Sequence, residues 1–120
     1  MPRPLPRFAA VTVLLAVFIA GCGGAAATPS PTVISVKGTE YAYDPASIST
    51  KSGGVTTLRL TNAGVVEHDI TVDALSFKLL VKPGETKEAA LTNPKPGTYE
   101  FYCSIPGHKE AGMKGTLDVK

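Results

Sequence analysis

From about residue 32 onward, turn-forming residues interrupt this chain at intervals of about 8–12 residues. The breaks fall at Asp44-Pro45, Gly53-Gly54, Asn62-Ala63-Gly64, Pro83-Gly84 and Pro94-Lys95-Pro96-Gly97, residue types that set turn geometry. Between them, apolar and polar residues alternate with a period of two. No run of ten or more residues carries apolar side chains at the helical period. Short half-apolar strands with no helix to cover them must bury their apolar faces against one another, so the chain reads as an all-β sandwich. The candidate strands are residues 32–36, 39–44, 47–50, 55–61, 68–73, 77–81, 86–91, 98–102 and 115–119.

The pleat assigns side chains of like parity to one face. His68 falls with Ile70 and Val72, against Asp69, Thr71 and Asp73. Cys103 continues the row of Tyr99 and Phe101, and Met113 extends that of Gly115, Leu117 and Val119. These residues therefore point toward one end of the sandwich interior.

Their chemistry is specific. The chain holds two His, two Cys and two Met, and beyond residue 22 every one of them belongs to the set His68, Cys103, His108 and Met113. The last three are spaced Cys-x4-His-x4-Met. Two imidazoles and a thiolate with a weak axial thioether form the donor set that selects copper for one-electron transfer. Taken singly, His68 and Met113 read as core residues and Cys103 as a small buried hydrophobe or half of a disulfide with Cys22. Zinc accepts Cys and His but ordinarily takes a strong fourth ligand or water. No second Cys lies between Cys103 and His108, so the expected centre holds one metal ion.

The run from Tyr99 to Gly115, YEFYCSIPGHKEAGMKG, resembles the ligand loop of the cupredoxins, the small blue copper proteins. The resemblance covers about residues 32–120. Within the family the spacing is most like the auracyanins; the loop is longer than azurin's before the Met and longer than plastocyanin's before the His. The resemblance implies a Greek-key sandwich or barrel of about eight strands holding one copper ion. It gives Cys103 the short thiolate bond, His68 and His108 one ring nitrogen each, and Met113 the axial position. It further implies that Asp69 ties the two ligand segments together through Ser104, and that the N–H groups of Asp69 and Ile105 donate to the Cys103 sulfur. The exposed edge of His108 becomes the electron port. Candidate residues around it are Gly64, Val65, Val66, Pro106, Gly107, Ala111 and Gly112, with Lys109, Glu110 and Lys114 supplying mixed charge.

The N-terminus addresses the domain elsewhere. Arg3 and Arg7 precede an apolar run from Phe8 to Ala20 and then Gly21-Cys22, the layout of an export signal. At ~1.5 Å per residue that run makes roughly 20 Å of helix, short of a ~30 Å hydrocarbon core. Ile19-Ala20-Gly21-Cys22 resembles a bacterial lipobox, so residues 1–21 are expected to be removed and Cys22 acylated. Residues 22–31 then form a flexible tether and residues 32–120 the copper-binding domain, held outside the cytoplasm on a membrane. Loss of the two leader arginines brings Lys+Arg level with the 10 Asp+Glu. No basic stripe favours nucleic acid.

These readings describe a monomeric, membrane-tethered carrier of single electrons between redox proteins, such as a cytochrome or quinol-oxidising complex and an oxidase or reaction centre. The alternative is a copper carrier without redox duty. An enzyme is disfavoured, because four protein ligands leave no open position for substrate.

Overall fold

The computed structural model describes residues 1–2, 4, 21, 23–24, 30–92 and 94–120. Most of the expected leader, the acylation site Cys22 and the middle of the expected tether fall at residues 3, 5–20, 22 and 25–29, outside the described residues. Among the described residues nine strands form: β1 Thr32–Thr39, β2 Ala42–Asp44, β3 Ser47–Thr50, β4 Val55–Asn62, β5 His68–Val72, β6 Phe77–Val81, β7 Thr86–Thr92, β8 Gly97–Tyr102 and β9 Lys114–Val119. A 3-10 turn, Asp73–Leu75, joins β5 to β6.

The strands build two facing sheets, ordered β2-β1-β4-β7 and β3-β9-β8-β5-β6. β1 runs parallel to β4, pairing Thr32 with Thr56 through Gly38 with Asn62. β3 runs parallel to β9, and the remaining ladders are antiparallel. β4 shows why the sequence folds this way: Thr56, Leu58, Leu60 and Asn62 are buried, while the residues between them are half-buried or exposed. Leu58, Leu60, Ile70, Phe101 and Leu117 are wholly buried between the sheets. Each such side chain contributes about 1.5–3 kcal/mol through its removal from water.

Three differences from the expected strands bear on function. β1 continues to Thr39 rather than ending near residue 36, because its parallel ladder with β4 and its hairpin with β2, closed at Thr39 and Ala42, both run to that end. Glu40 and Tyr41, expected inside a strand, are instead the turn between β1 and β2. β5, expected to have one apolar face, is buried along both: Asp69 is fully enclosed and Thr71 nearly so. Pairing with β6 on one edge and β8 on the other places β5 inside its sheet, and Asp69 satisfies its carboxylate locally.

Three loops meet at one end: the β1–β2 turn, the β4–β5 loop and the long β8–β9 loop. Buried Asn62 organises the second, donating through Nδ2 to the carbonyls of Val66 at 2.7 Å and Val81 at 2.9 Å, and accepting the Gly64 N–H at 2.9 Å. The third is bonded to itself. His108 N–H donates to Ile105 O, Met113 N–H to His108 O, and Cys103 N–H to Met113 O, each at 3.0 Å. Gly107 and Gly112 take left-handed backbone, with φ of 85° and 105°, on either side of His108. A residue with a Cβ is disfavoured there.

Candidate metal centre

Each donor is placed by a different piece of backbone. His68 opens β5 and is held in register against Val81 of β6. Cys103 follows the last residue of β8, and Met113 precedes the first residue of β9. His108 sits on the turn between them. The ligating atoms of His68, Cys103 and His108 lie within 4.8 Å of one another, and all three side chains are buried. His108 Nδ1 is 3.4 Å from Cys103 Sγ, and the two imidazole centroids are 5.1 Å apart. Met113 is fully buried, with its Cε close to where a Cβ on Gly38 would lie, at 3.4 Å.

The hydrogen bonds orient the rings. His68 Nε2 is 3.3 Å from Glu40 Oε1. Because a carboxylate only accepts, this contact puts the proton on Nε2 and leaves the lone pair on Nδ1. That Nδ1 is buried and lacks a hydrogen-bond partner among the described residues. A buried acceptor without a partner is costly, and a metal ion facing it removes the cost.

The electrostatics agree. Burial is the main influence on His68 and lowers its pKa, with the Glu40 carboxylate opposing; the ring is thereby favoured in the neutral form that binds metals. Burial pushes the Cys103 thiol up, while the N–H groups of Asp69 and Ile105 pull it back. The Asp69 N–H lies 3.4 Å from the sulfur. A thiolate in this enclosure needs a cation beside it, and a coordinated metal supplies that charge. Two imidazole nitrogens, a buried sulfur and an adjacent buried thioether fit a type 1 copper ion.

Around these donors, Asp69 binds Ser104 twice: Oδ1 accepts the backbone N–H at 2.8 Å and Oδ2 the hydroxyl at 2.6 Å. Thr71 and Lys78 complete the carboxylate's surroundings, at 3.0 Å and 3.6 Å. Of the candidate port residues, Val65, Val66, Pro106, Gly107, Ala111 and Gly112 are exposed and Gly64 is half-buried. Lys109 is occupied by Glu100 at 2.5 Å and lies over the Tyr102 ring at 3.9 Å.

Sequence reasoning missed three residues here. Glu40 braces His68, Tyr41 packs edge-on against His108 with centroids 5.0 Å apart, and the Tyr43 hydroxyl donates to the Asp69 carbonyl. Burial pushes the Tyr43 phenol upward, with Cys103 adding to the effect, so it remains a donor. Tyr43 alternates inward on β2 and its burial was readable from parity. Glu40 and Tyr41 had no such signal, because Glu-Tyr is not a turn-forming pair.

The cupredoxin-like domain family matches residues 9–119. The chain is 45% identical over 49 residues to auracyanin-B of Chloroflexus aurantiacus, a match spanning 41% of this chain and 21% of that protein. It is 30% identical over 120 residues to the copper-resistant cuproprotein CopI of Rubrivivax gelatinosus, spanning 83% of this chain and 73% of the relative. The dithionite-reduced auracyanin of Roseiflexus castenholzii superposes with a TM-score of 0.67 over 76% of this chain and 98% of its own, at 24% identity, a likeness of fold. The donor geometry and these matches together place the chain in the cupredoxin-like domain family, whose members bind one copper ion.

Proposed function

We propose that this protein is a membrane-tethered blue copper protein that carries single electrons between extracytoplasmic redox partners. The observation that carries the reading is the convergence of His68, Cys103 and His108 within 4.8 Å, beside a fully buried Met113. Bound copper supplies a Cu(I)/Cu(II) couple. The chain's part is to keep the donors still: three of them sit on one self-bonded loop, and the fourth is on a strand paired along both edges. Four protein donors also leave no open position for a substrate.

His108 is the donor closest to solvent, at 8% exposure against none for the other three. Its ring edge is the electron port, reached past Tyr41 and the exposed Val65 and Val66. A small apolar surface of this kind suits brief encounters between redox proteins. The partners are of the cytochrome, oxidase or reaction-centre type, and the protein acts as a monomer. Residues 1–21 form a leader that is removed, Cys22 carries the lipid and residues 22–31 are the tether; β1 beginning at Thr32 supports that boundary.

The test is a visible and EPR spectrum of the oxidised, copper-loaded protein. We expect intense thiolate-to-copper absorption that disappears in Cys103→Ser, and a mass for the membrane-extracted protein that includes acyl chains on residue 22. An unmodified residue 22 removes the tether alone.

A copper carrier or buffer is the second reading, favoured by the likeness to a copper-resistant cuproprotein over 83% of this chain. A colourless protein that binds only Cu(I) selects it over electron transfer.

A further inference from the structure

Among the described residues, Glu40 is the one ionised side chain that reaches a candidate donor from outside the ligand loop. Its Oε1 accepts the N–H of Val65 at 2.6 Å and of Val66 at 3.2 Å, and faces His68 Nε2 at 3.3 Å. The carboxylate lies directly against Gly64, where any Cβ would overlap it. The loop that offers these two N–H groups is itself held by Asn62, through Gly64 and Val66. The β1–β2 turn, the β4–β5 loop and the first residue of β5 are thus joined through one carboxylate.

We propose that Glu40 is a positioning residue for the metal centre: its carboxylate, clamped by the Val65 and Val66 amides in a recess that Gly64 leaves open, fixes the His68 ring with Nδ1 toward Cys103 and His108 and strengthens that nitrogen as a donor. The inference rests on the copper reading above. A carboxylate that accepts the distal N–H of a metal-binding imidazole sets its tautomer and raises its basicity. A more basic imidazole favours Cu(II) over Cu(I), so Glu40 holds the reduction potential down. Three features separate this role from packing. The acceptor is charged, the two amides leave the carboxylate little freedom to swing away, and His68 Nδ1 has no other partner among the described residues.

The experiment compares the copper-loaded full chain with Glu40→Gln and Gly64→Ala. Gln keeps the size and one acceptor oxygen but loses the charge, whereas Ala at position 64 displaces the carboxylate without removing it. Both are expected to weaken Cu(II) binding relative to Cu(I) by about tenfold, an upward shift of about 59 mV for one electron. Nitrogen-15 NMR of the reduced protein should find the His68 proton on Nε2 in the wild type, strongly deshielded by the carboxylate, and shifted upfield in both variants. Glu40→Gln that changes unfolding stability but neither the potential nor the Nε2–H resonance overturns the proposal. A wild type without thiolate-to-copper absorption overturns the copper reading itself, and this inference with it.

Discussion

Asp69 grips Ser104 with both carboxylate oxygens, Oδ1 on the backbone N–H at 2.8 Å and Oδ2 on the hydroxyl at 2.6 Å. The pair links β5, which carries His68, to the residue after Cys103, so the two strands that bring donors are tied just beneath the centre. Asp69→Ala leaves the Ser104 N–H without its acceptor and removes one of the two partners of Lys78, the other being the Ser104 hydroxyl at 2.8 Å, and is expected to cost about 3 kcal/mol of unfolding free energy. Asp69→Asn retains an acceptor for the N–H and should cost about 1 kcal/mol. Urea unfolding of the metal-free proteins measures both, and equal losses from Ala and Asn would contradict the two-point grip.

Met113→Leu is nearly volume-conserving at a fully buried position, so the stability change should stay within about 1.5 kcal/mol. A thioether beside bound copper would be a weak donor that tunes the potential rather than holding the ion. The variant is expected to retain copper and its thiolate absorption while its potential rises, as read by spectroelectrochemistry. Loss of copper on dialysis would rule out an axial role.

Gly115, the second residue of β9, faces Phe101, and a Cβ there would overlap the Phe101 ring and the backbone carbonyl of Ala46. Neither gives way easily, because Phe101 is fully buried and the carbonyl accepts the Thr116 N–H at 2.9 Å. Gly115→Ala is therefore expected to destabilise by about 3 kcal/mol through overpacking. The thermal midpoint should fall, and an unchanged midpoint would show that the β3–β9 edge is softer than the packing implies.

Val65 is 83% exposed, and its amide rests on Glu40, whose neighbour Tyr41 packs against His108. If electrons cross at the His108 edge, two copies of Val65→Glu must bring like charges together during self-exchange. Like-charge contact costs several kcal/mol, so the self-exchange rate should drop by at least about tenfold at low salt and recover as salt is added. NMR line broadening in mixtures of oxidised and reduced protein gives that rate. A rate independent of the charge would place the port elsewhere.

Much of this was readable along the chain. The interior ladder of β4 is visible as alternation from Thr56 to Asn62, and the β7 and β9 segments lie within two residues of their expected bounds. The donors were visible through scarcity, since a chain with so few His, Cys and Met places all those beyond residue 22 in one set. The turn at Glu40–Tyr41 was hidden because its residues carry no turn chemistry; the ladders on either side impose it. The burial of Asp69 was hidden for a related reason. Alternation assigns it to a face but says nothing of what lies over that face.

Residue types and local spacing determined, without any coordinates, that this chain is all-β and that a thiol, two imidazoles and a thioether belong together. Those are properties of neighbouring residues, written in the periods of strands and in one short loop. Tertiary structure decided which nitrogen of His68 meets a carboxylate, and which is left buried without a hydrogen-bond partner among the described residues. Glu40 and His68 stand 28 residues apart, and only the closure of two sheets brings them within hydrogen-bonding distance.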